Sequence, residues 1–256
     1  GGGLSSEIAV LALAKNGFKV CFIQNQSNQK YDSNLVTFLS TGSVNYLAGI
    51  IDNPKELNEF AEIKKITCKL ISYSKSSNIT FENDLNSDLG KILPNKTINS
   101  LLHLSLKNSK NIEIIYKTKS IQKKMDGNKV CVVVDKKKEI FAKTFILSVD
   151  EQNLLDGANI NFISYDLNQT ALSMNVSGDF KKQNHAFQIF TQSGPLAFLP
   201  YTKNQASLVW SVKNDSKELL DEKIIIDKKI NNYLSSDIGP LKIEDIEHHK
   251  LNFKFS

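Results

Sequence analysis

The residues of this chain best suited to chemistry stand at its start. Gly1-Gly2-Gly3-Leu4-Ser5-Ser6 puts glycines at the first and third positions of a G-x-G-x-x-G turn, with Ser6 in place of the third glycine. In such a turn the first glycine permits a sharp bend, the second lets backbone amides approach a diphosphate, and the third lets a helix pack closely on a sheet. A glycine run at an amino terminus is also what a cloning remnant leaves behind, but the residues immediately downstream favour the turn. Ser5 to Asn16 has helical apolar spacing at Ile8, Leu11, Ala12 and Ala14, and Gly17 stands where a left-handed cap is wanted. Phe18 to Ile23 then reads as a short strand, so turn, helix and strand come in the order of a dinucleotide-binding βαβ unit. The strand in that place ends in an acidic residue when it binds the hydroxyls of an adenosine ribose. Here the position holds Gln24, whose amide can hydrogen-bond a hydroxyl without the charge that strengthens a carboxylate contact.

Other chemistries find little support. His103, His185, His248 and His249 lack zinc spacing with cysteine, and neither a G-x-S-x-G elbow nor a Walker lysine motif is present. Cys21, Cys68 and Cys131 are odd in number, without CxxC spacing, and read as reduced thiols of a cytoplasmic protein. All 32 basic residues are lysine, set against 27 acidic ones for a net charge of +5. Without arginine, base readout and bidentate phosphate clamping are poorly served, so nucleic acid is not an expected partner. The densest basic run, Lys136-Lys137-Lys138, lies between two strand-like stretches and reads as a hairpin tip. At 256 residues and 41% hydrophobic content the chain can form one or two packed domains, and no stretch approaches a membrane span. Any membrane contact is expected to be peripheral.

The elements that must position these residues can be read in order. Val36 to Leu47 suggests a helix, and Glu56 to Ile63 a short amphipathic one. Cys68 to Phe81 turns strand-like, Pro94 opens a helix through about Leu106, and Ile112 to Tyr116 returns to strand. A hairpin turning at Asp126-Gly127 precedes Val130 to Val134. Beyond Asp150 the character changes. Thr170 to Val176, Ala186 to Phe190, Leu196 to Leu199 and Ser207 to Val212 predict an antiparallel sheet. Glu218 to Leu234 then predicts a helix with Leu219, Leu220, Ile224 and Ile230 on one side, and Leu251 to Ser256 alternates like a strand.

Within that sheet, Thr191-Gln192-Ser193-Gly194-Pro195-Leu196-Ala197-Phe198-Leu199-Pro200 followed by Ser207-Leu208-Val209-Trp210-Ser211-Val212 resembles the substrate-domain signature of the ubiquinone-biosynthesis FAD-dependent monooxygenases. Gln169-Thr170-Ala171-Leu172 and Ala186 to Phe190 resemble the flanking strands, and Pro94-Asn95-Lys96 a Pro-Asn-Arg segment of the FAD domain. The resemblance runs collinearly over almost the whole chain. It implies an α/β, p-hydroxybenzoate-hydroxylase-like fold: a Rossmann-like FAD-binding domain over residues 1–72 and 90–158, with an inserted, mostly antiparallel substrate domain over 73–89 and 159–256. It also implies that the chain is an internal piece, lacking a first strand and a C-terminal third and inactive by itself.

The same resemblance assigns cofactor contacts to Gly1, Gly3, Ser6, Gln24, Asn34, Lys96 and Asp150, and a substrate wall to Phe198, Tyr201 and Trp210. It assigns no catalytic residue. Three places depart from the family pattern. Lys96 replaces an arginine, Asp32-Ser33-Asn34 replaces Asp-x-Arg, and Ser148-Val149-Asp150-Glu151 keeps only the aspartate of Gly-Ala-Asp-Gly. Two lost charge-assisted contacts would weaken FAD binding about a hundredfold if nothing compensates. The implied activity is hydroxylation of a polyprenylated phenol with FAD, NAD(P)H and O2, within a ubiquinone-biosynthesis enzyme complex at the cytoplasmic face of the inner membrane. The rival expectation is a non-catalytic homologue serving as an interaction subunit; a third is a related flavoenzyme, a dehydrogenase or halogenase, with another substrate.

Overall fold

The structure, a computed structural model, describes residues 3–24, 35–71, 76–83, 87–126, 129–148, 155–156 and 163–255. Helix α1 (Leu4–Lys15) ends as its sequence requires: Gly17 takes φ +85° and the chain turns into strand β1 (Val20–Ile23). Strand β2 (Val36–Ser40) and helix α2 (Thr41–Ile50) divide the segment expected to be one helix from Val36. The break is a cap, in which the Ser40 hydroxyl accepts from the Ser43 backbone N–H at 3.3 Å.

A 3-10 turn over Pro54–Glu59 leads to β3 (Glu62–Ile63), in place of the short helix expected there. Only Leu57 of that turn is buried, too small an apolar face to hold an α-helix, while Ile63 is drawn into a sheet. Next along the chain are β4 (Lys65–Ile71), β5 (Ser76–Glu82), β6 (Gly90–Pro94), α3 (Asn95–Asn108) and β7 (Ile112–Ile115). Then come β8 (Ile121–Asp126), β9 (Lys129–Val134), β10 (Lys138–Ala142) and β11 (Leu155–Asp156). The remainder is β12 (Ile163–Gly178), β13 (His185–Thr191), β14 (Gly194–Pro200), β15 (Gln205–Lys213), α4 (Lys223–Ile238) and β16 (Leu241–Phe255).

Strands β1 and β7 pair in parallel, Val20 opposite Ile112. Val10 and Leu11 of α1 pack with Leu47 and Ile50 of α2 and with Leu101, Leu102 and Leu106 of α3 to form one core. Two small sheets flank it, of order β2-β6-β3 and β10-β9-β8-β11. The lysine run falls at the β9–β10 connection, the hairpin tip foreseen from the sequence.

The largest sheet has seven strands in the order β16-β12-β15-β14-β13-β4-β5. All neighbours are antiparallel except β13 and β4. Strand β4 belongs to this sheet through its parallel pairing with β13. Helix α4 covers one face through Ile226, Ile230, Leu234 and Ile238, spaced four apart. The expected apolar side through Leu220 and Ile224 is corrected by this: those two are 89% and 65% exposed, because α4 begins only at Lys223 and turns the later stripe inward.

Gly194 explains why its hairpin tolerates no side chain. It sits at φ +137° opposite Thr191, and a Cβ there would lie 1.9 Å from the Ser211 carbonyl oxygen. We expect Gly194→Ala to lower stability by about 1–3 kcal/mol, read as a shifted denaturation midpoint.

Candidate functional site

The amino-terminal end of α1 carries the unpaired backbone N–H groups that any helix start presents. Gly3, at the cap, is extended (φ −94°, ψ 169°) and, being glycine, brings no side chain to cap the leading N–H groups. Its carbonyl accepts from the N–H groups of Ser6 (3.1 Å) and Glu7 (3.2 Å), so the helix starts cleanly and its leading amides face outward. A Cβ built on Gly3 would meet no described atom within 4 Å, its two chain neighbours aside. Ser6, at the third glycine position, is buried, and its hydroxyl donates to the Gly3 carbonyl at 2.8 Å. It shapes the turn from behind.

Gln24 closes β1 at the carboxyl ends of the two parallel strands, the edge where open α/β sheets bind ligands. Its backbone N–H donates to the Ile115 carbonyl at 2.8 Å, and its carbonyl accepts from the Thr118 N–H at 3.0 Å. Its buried side chain hydrogen-bonds to that of Glu7. Glu7 is 5% exposed, and burial pushes its carboxyl up to about 7, partly opposed by the Gln24 hydrogen bond. Among the described residues, one Glu7 carboxyl oxygen, the Thr118 hydroxyl and both polar atoms of the Asn99 side chain are buried without a partner. Unsatisfied polar atoms just past a strand end and in the first turn of a helix suit a polar, diphosphate-bearing ligand. On that ground the residues present fit a flavin dinucleotide.

Glu7 and Asn99 were not foreseen in the sequence. The available signal was position, since each interrupts a buried helical face: Glu7 precedes Val10, Leu11 and Ala14, and Asn99 lies among Ile98, Leu102 and Leu106. Lys96 is exposed in the first turn of α3, and its carbonyl accepts from Ser100 Oγ at 2.9 Å. Gly1, Asn34 and Asp150 lie outside the described residues.

The large sheet has two unlike faces. Phe198 and Trp210 point toward α4 and are sealed in the core with Leu172, Leu208, Ile230 and Leu234. This corrects the expectation that they line a substrate wall, because period-two alternation commits them to the opposite face. Tyr201 is placed differently. With Leu199, Ala186 and Ile66 it packs against Val36, Ile63 and Ile92, and its carbonyl accepts from the Ala61 N–H at 3.1 Å. Burial pushes its hydroxyl pKa up, helped by the charges of Glu244 and Asp245.

The face that Tyr201 joins carries a row Ile79-Cys68-Gln188-Ala197-Val209-Ser173-Glu247, read across the register. It is apolar at the β5 end, where Leu70, Ile79, Phe81 and Phe190 are exposed. It is polar at the β16 end, where His249 Nε2 lies 3.2 Å from a Glu247 carboxylate oxygen. Among the described residues no helix is long and apolar enough to cross a membrane.

No family model matches the sequence, and neither does any curated protein. Solved structures do match the fold. The p-nitrophenol 4-monooxygenase of Pseudomonas putida superposes with a TM-score of 0.65 at 12% identity, over 99% of this chain and 67% of that one. A 2-methyl-3-hydroxypyridine-5-carboxylic acid oxygenase gives 0.72 at 11% identity, over 99% and 69%. A myxobacterial chondrochloren halogenase, a variant of the FAD-dependent halogenases, gives 0.63 at 14%, over 98% and 62%. At these identities the likeness is one of fold, and the chain has the mixed α/β, p-hydroxybenzoate-hydroxylase-like fold of FAD-dependent monooxygenases and halogenases.

Proposed function

We propose that this chain is the cofactor- and substrate-holding part of an FAD-dependent aromatic hydroxylase that acts on a polyprenylated phenol of ubiquinone biosynthesis, with NAD(P)H as reductant. The observation that carries the reading is the α1 terminus with an unsatisfied Glu7 carboxyl oxygen in its first turn and an unsatisfied Thr118 hydroxyl just past β7, within a fold shared with oxygenases over almost the whole chain. Bound flavin would supply the oxygen-activating chemistry. The protein's own part is to hold and shield. Gly3 and the first turn of α1 would seat the diphosphate, Gln24 with Glu7 would take the adenosine end, and the Tyr201 face of the large sheet would exclude water from the ring.

The finer substrate assignment draws support from the Gly194 to Pro200 block and from the two-ended sheet face. Its exposed Leu70, Ile79, Phe81 and Phe190 suit a hydrocarbon tail, and the Ser173, Glu247 and His249 end suits a ring hydroxyl. Peripheral contact with an anionic membrane draws support from exposed Leu220, Ile224 and Ile225, with exposed Lys217, Lys223 and Lys228 in the same segment. We expect Leu220→Asp with Ile224→Asp to cut binding to vesicles containing anionic lipid by about tenfold, with the thermal midpoint unchanged.

The decisive test is expression of the full chain, followed by flavin absorbance and NAD(P)H oxidation with a prenylated phenol. A yellow protein whose oxidation rate rises with the phenol supports the enzyme. A folded, colourless and inert protein that co-purifies with pathway enzymes would instead establish the interaction subunit, a second reading favoured by the amide at Gln24.

A further inference from the structure

We infer that β5 is a homodimer seam, at which two copies of this chain pair edge to edge about a two-fold axis at Thr80 and join their large sheets into one. The inference does not rest on the cofactor or substrate reading.

Among the described residues β16 and β5 are the two ends of the seven-stranded sheet, and the two edges are built differently. Strand β16 carries Lys242, Glu244, Glu247, Lys250 and Lys254, and its register with β12 shifts in two places. Charge and irregularity of that kind keep a second sheet from adding on. Strand β5 has neither safeguard. Its sequence Ser76-Ser77-Asn78-Ile79-Thr80-Phe81-Glu82 holds no lysine and no proline, and it pairs with β4 in unbroken register from Ser76 to Glu82. Its one charge, Glu82, is met by Lys65 of β4 at 3.0 Å, so a second copy can approach without net repulsion. Ile79 and Phe81 are 66% and 54% exposed, and by register they share a face with exposed Leu70 and Phe190 on the strands behind. An uncovered apolar patch of this kind marks an interaction site.

What selects a second copy as the occupant is the match of this strand to its own reverse. With Thr80 on the axis, Ile79 stands opposite Phe81 of the second copy, Asn78 opposite Glu82, and Thr80 opposite Thr80, each pair on one face of the joined sheet. A β-branched residue against an aromatic one and threonine against threonine are favourable cross-strand pairs. The Asn78 amide donates to the Glu82 carboxylate, a charge-assisted bond, and the two-fold makes both hetero-pairs occur twice. An axis one residue earlier, at Ile79, would set Phe81 against Ser77 and Glu82 against Ser76, and these matches would be lost. The pairing takes up the strand edge and leaves the sheet face, so the apolar surface offered to a hydrocarbon tail runs on across the seam. A seam of seven residues a side is smaller than the roughly 20–30 of a standard interface, so the dimer exchanges with monomer in the micromolar range.

The test is sedimentation equilibrium of the full chain at concentrations from about 1 to 300 μM. The wild-type protein should pass from monomer to dimer across that range. Ile79→Lys combined with Phe81→Lys should weaken association by about a hundredfold and leave the thermal midpoint unchanged, because both side chains are exposed in the monomer. The register is tested by Thr80→Cys. Opposed Cα atoms about 4.5–5.5 Å apart lie within disulfide reach, whereas a cysteine at Asn78 would stand about 14 Å from its mate. Mild oxidation should therefore trap a covalent dimer with Thr80→Cys and not with Asn78→Cys, the wild-type protein with its own Cys21, Cys68 and Cys131 serving as the blank. A wild-type protein still monomeric at the highest concentration, as when another segment or an unrelated partner occupies the edge, overturns the proposal. So does a dimer that the lysine pair leaves intact, or trapping through Asn78→Cys instead of Thr80→Cys. The flavin reading is untouched by any of these results.

Discussion

Trp210→Ala is expected to lower the stability of the protein by about 3–5 kcal/mol, the range for emptying a fully buried large aromatic site. Trp210 has no exposed surface, and its ring meets Tyr233 edge-on at 6.2 Å between centroids, inside the core that joins the seven-stranded sheet to α4. Its indole N–H has no partner among the described residues, so part of its burial is already unfavourable. Trp210→Phe keeps much of the apolar surface and removes the stranded donor, and should cost about 1 kcal/mol. Urea midpoints of the two variants check the ordering. A wall residue would behave otherwise, with substrate affinity lost and stability spared.

The second large effect is a pH dependence. An ordinary glutamate titrates at 4.5, whereas burial carries Glu7 up to about 7 in the folded chain. The folded state therefore holds its proton more tightly than the unfolded state. The stabilising contribution is complete below about 4.5 and is lost as pH rises through 7. The loss is about 3 kcal/mol from this one residue. Glu7→Gln should remove that part of the dependence and leave the variant more stable than the wild-type protein at pH 8. Denaturation at pH 5 and pH 8 gives the comparison. An equal fall in both proteins would assign the dependence to other groups.

Much of the architecture was legible because alternation and periodicity are strong along this chain. Leu172, Met174 and Val176 alternate with Ala171, Ser173 and Asn175, and Leu208, Trp210 and Val212 with Ser207, Val209 and Ser211. The structure obeys both patterns, burying the first set of each against α4. Taken strictly, that alternation already removes Trp210 from a substrate wall. Tertiary context decided what local patterns could not. Val36 to Ser40 looks helical until its pairing with β6 is known, and the start of α4 slips to Lys223 because the stripe from Ile226 fits the sheet. At the site, Gly3, Ser6 and Gln24 were readable from spacing, while Glu7 was hidden. An acidic residue in a first helical turn ordinarily complements the helix dipole from solvent, and only the packing shows this one turned inward.

The parallel pairing of β4 with β13 joins Lys65 to His185, and β12 is completed on its outer side by β16, which ends at Phe255. Closing such distant segments takes most of the entropic toll before any contact repays it, and topologies of this kind fold slowly. During synthesis β4 and β5 must wait as a lone two-stranded ribbon until β13 emerges more than a hundred residues later. The edge of β4 that β13 will occupy is uncovered through that interval, which makes translation speed and chaperone supply the governing variables for soluble yield.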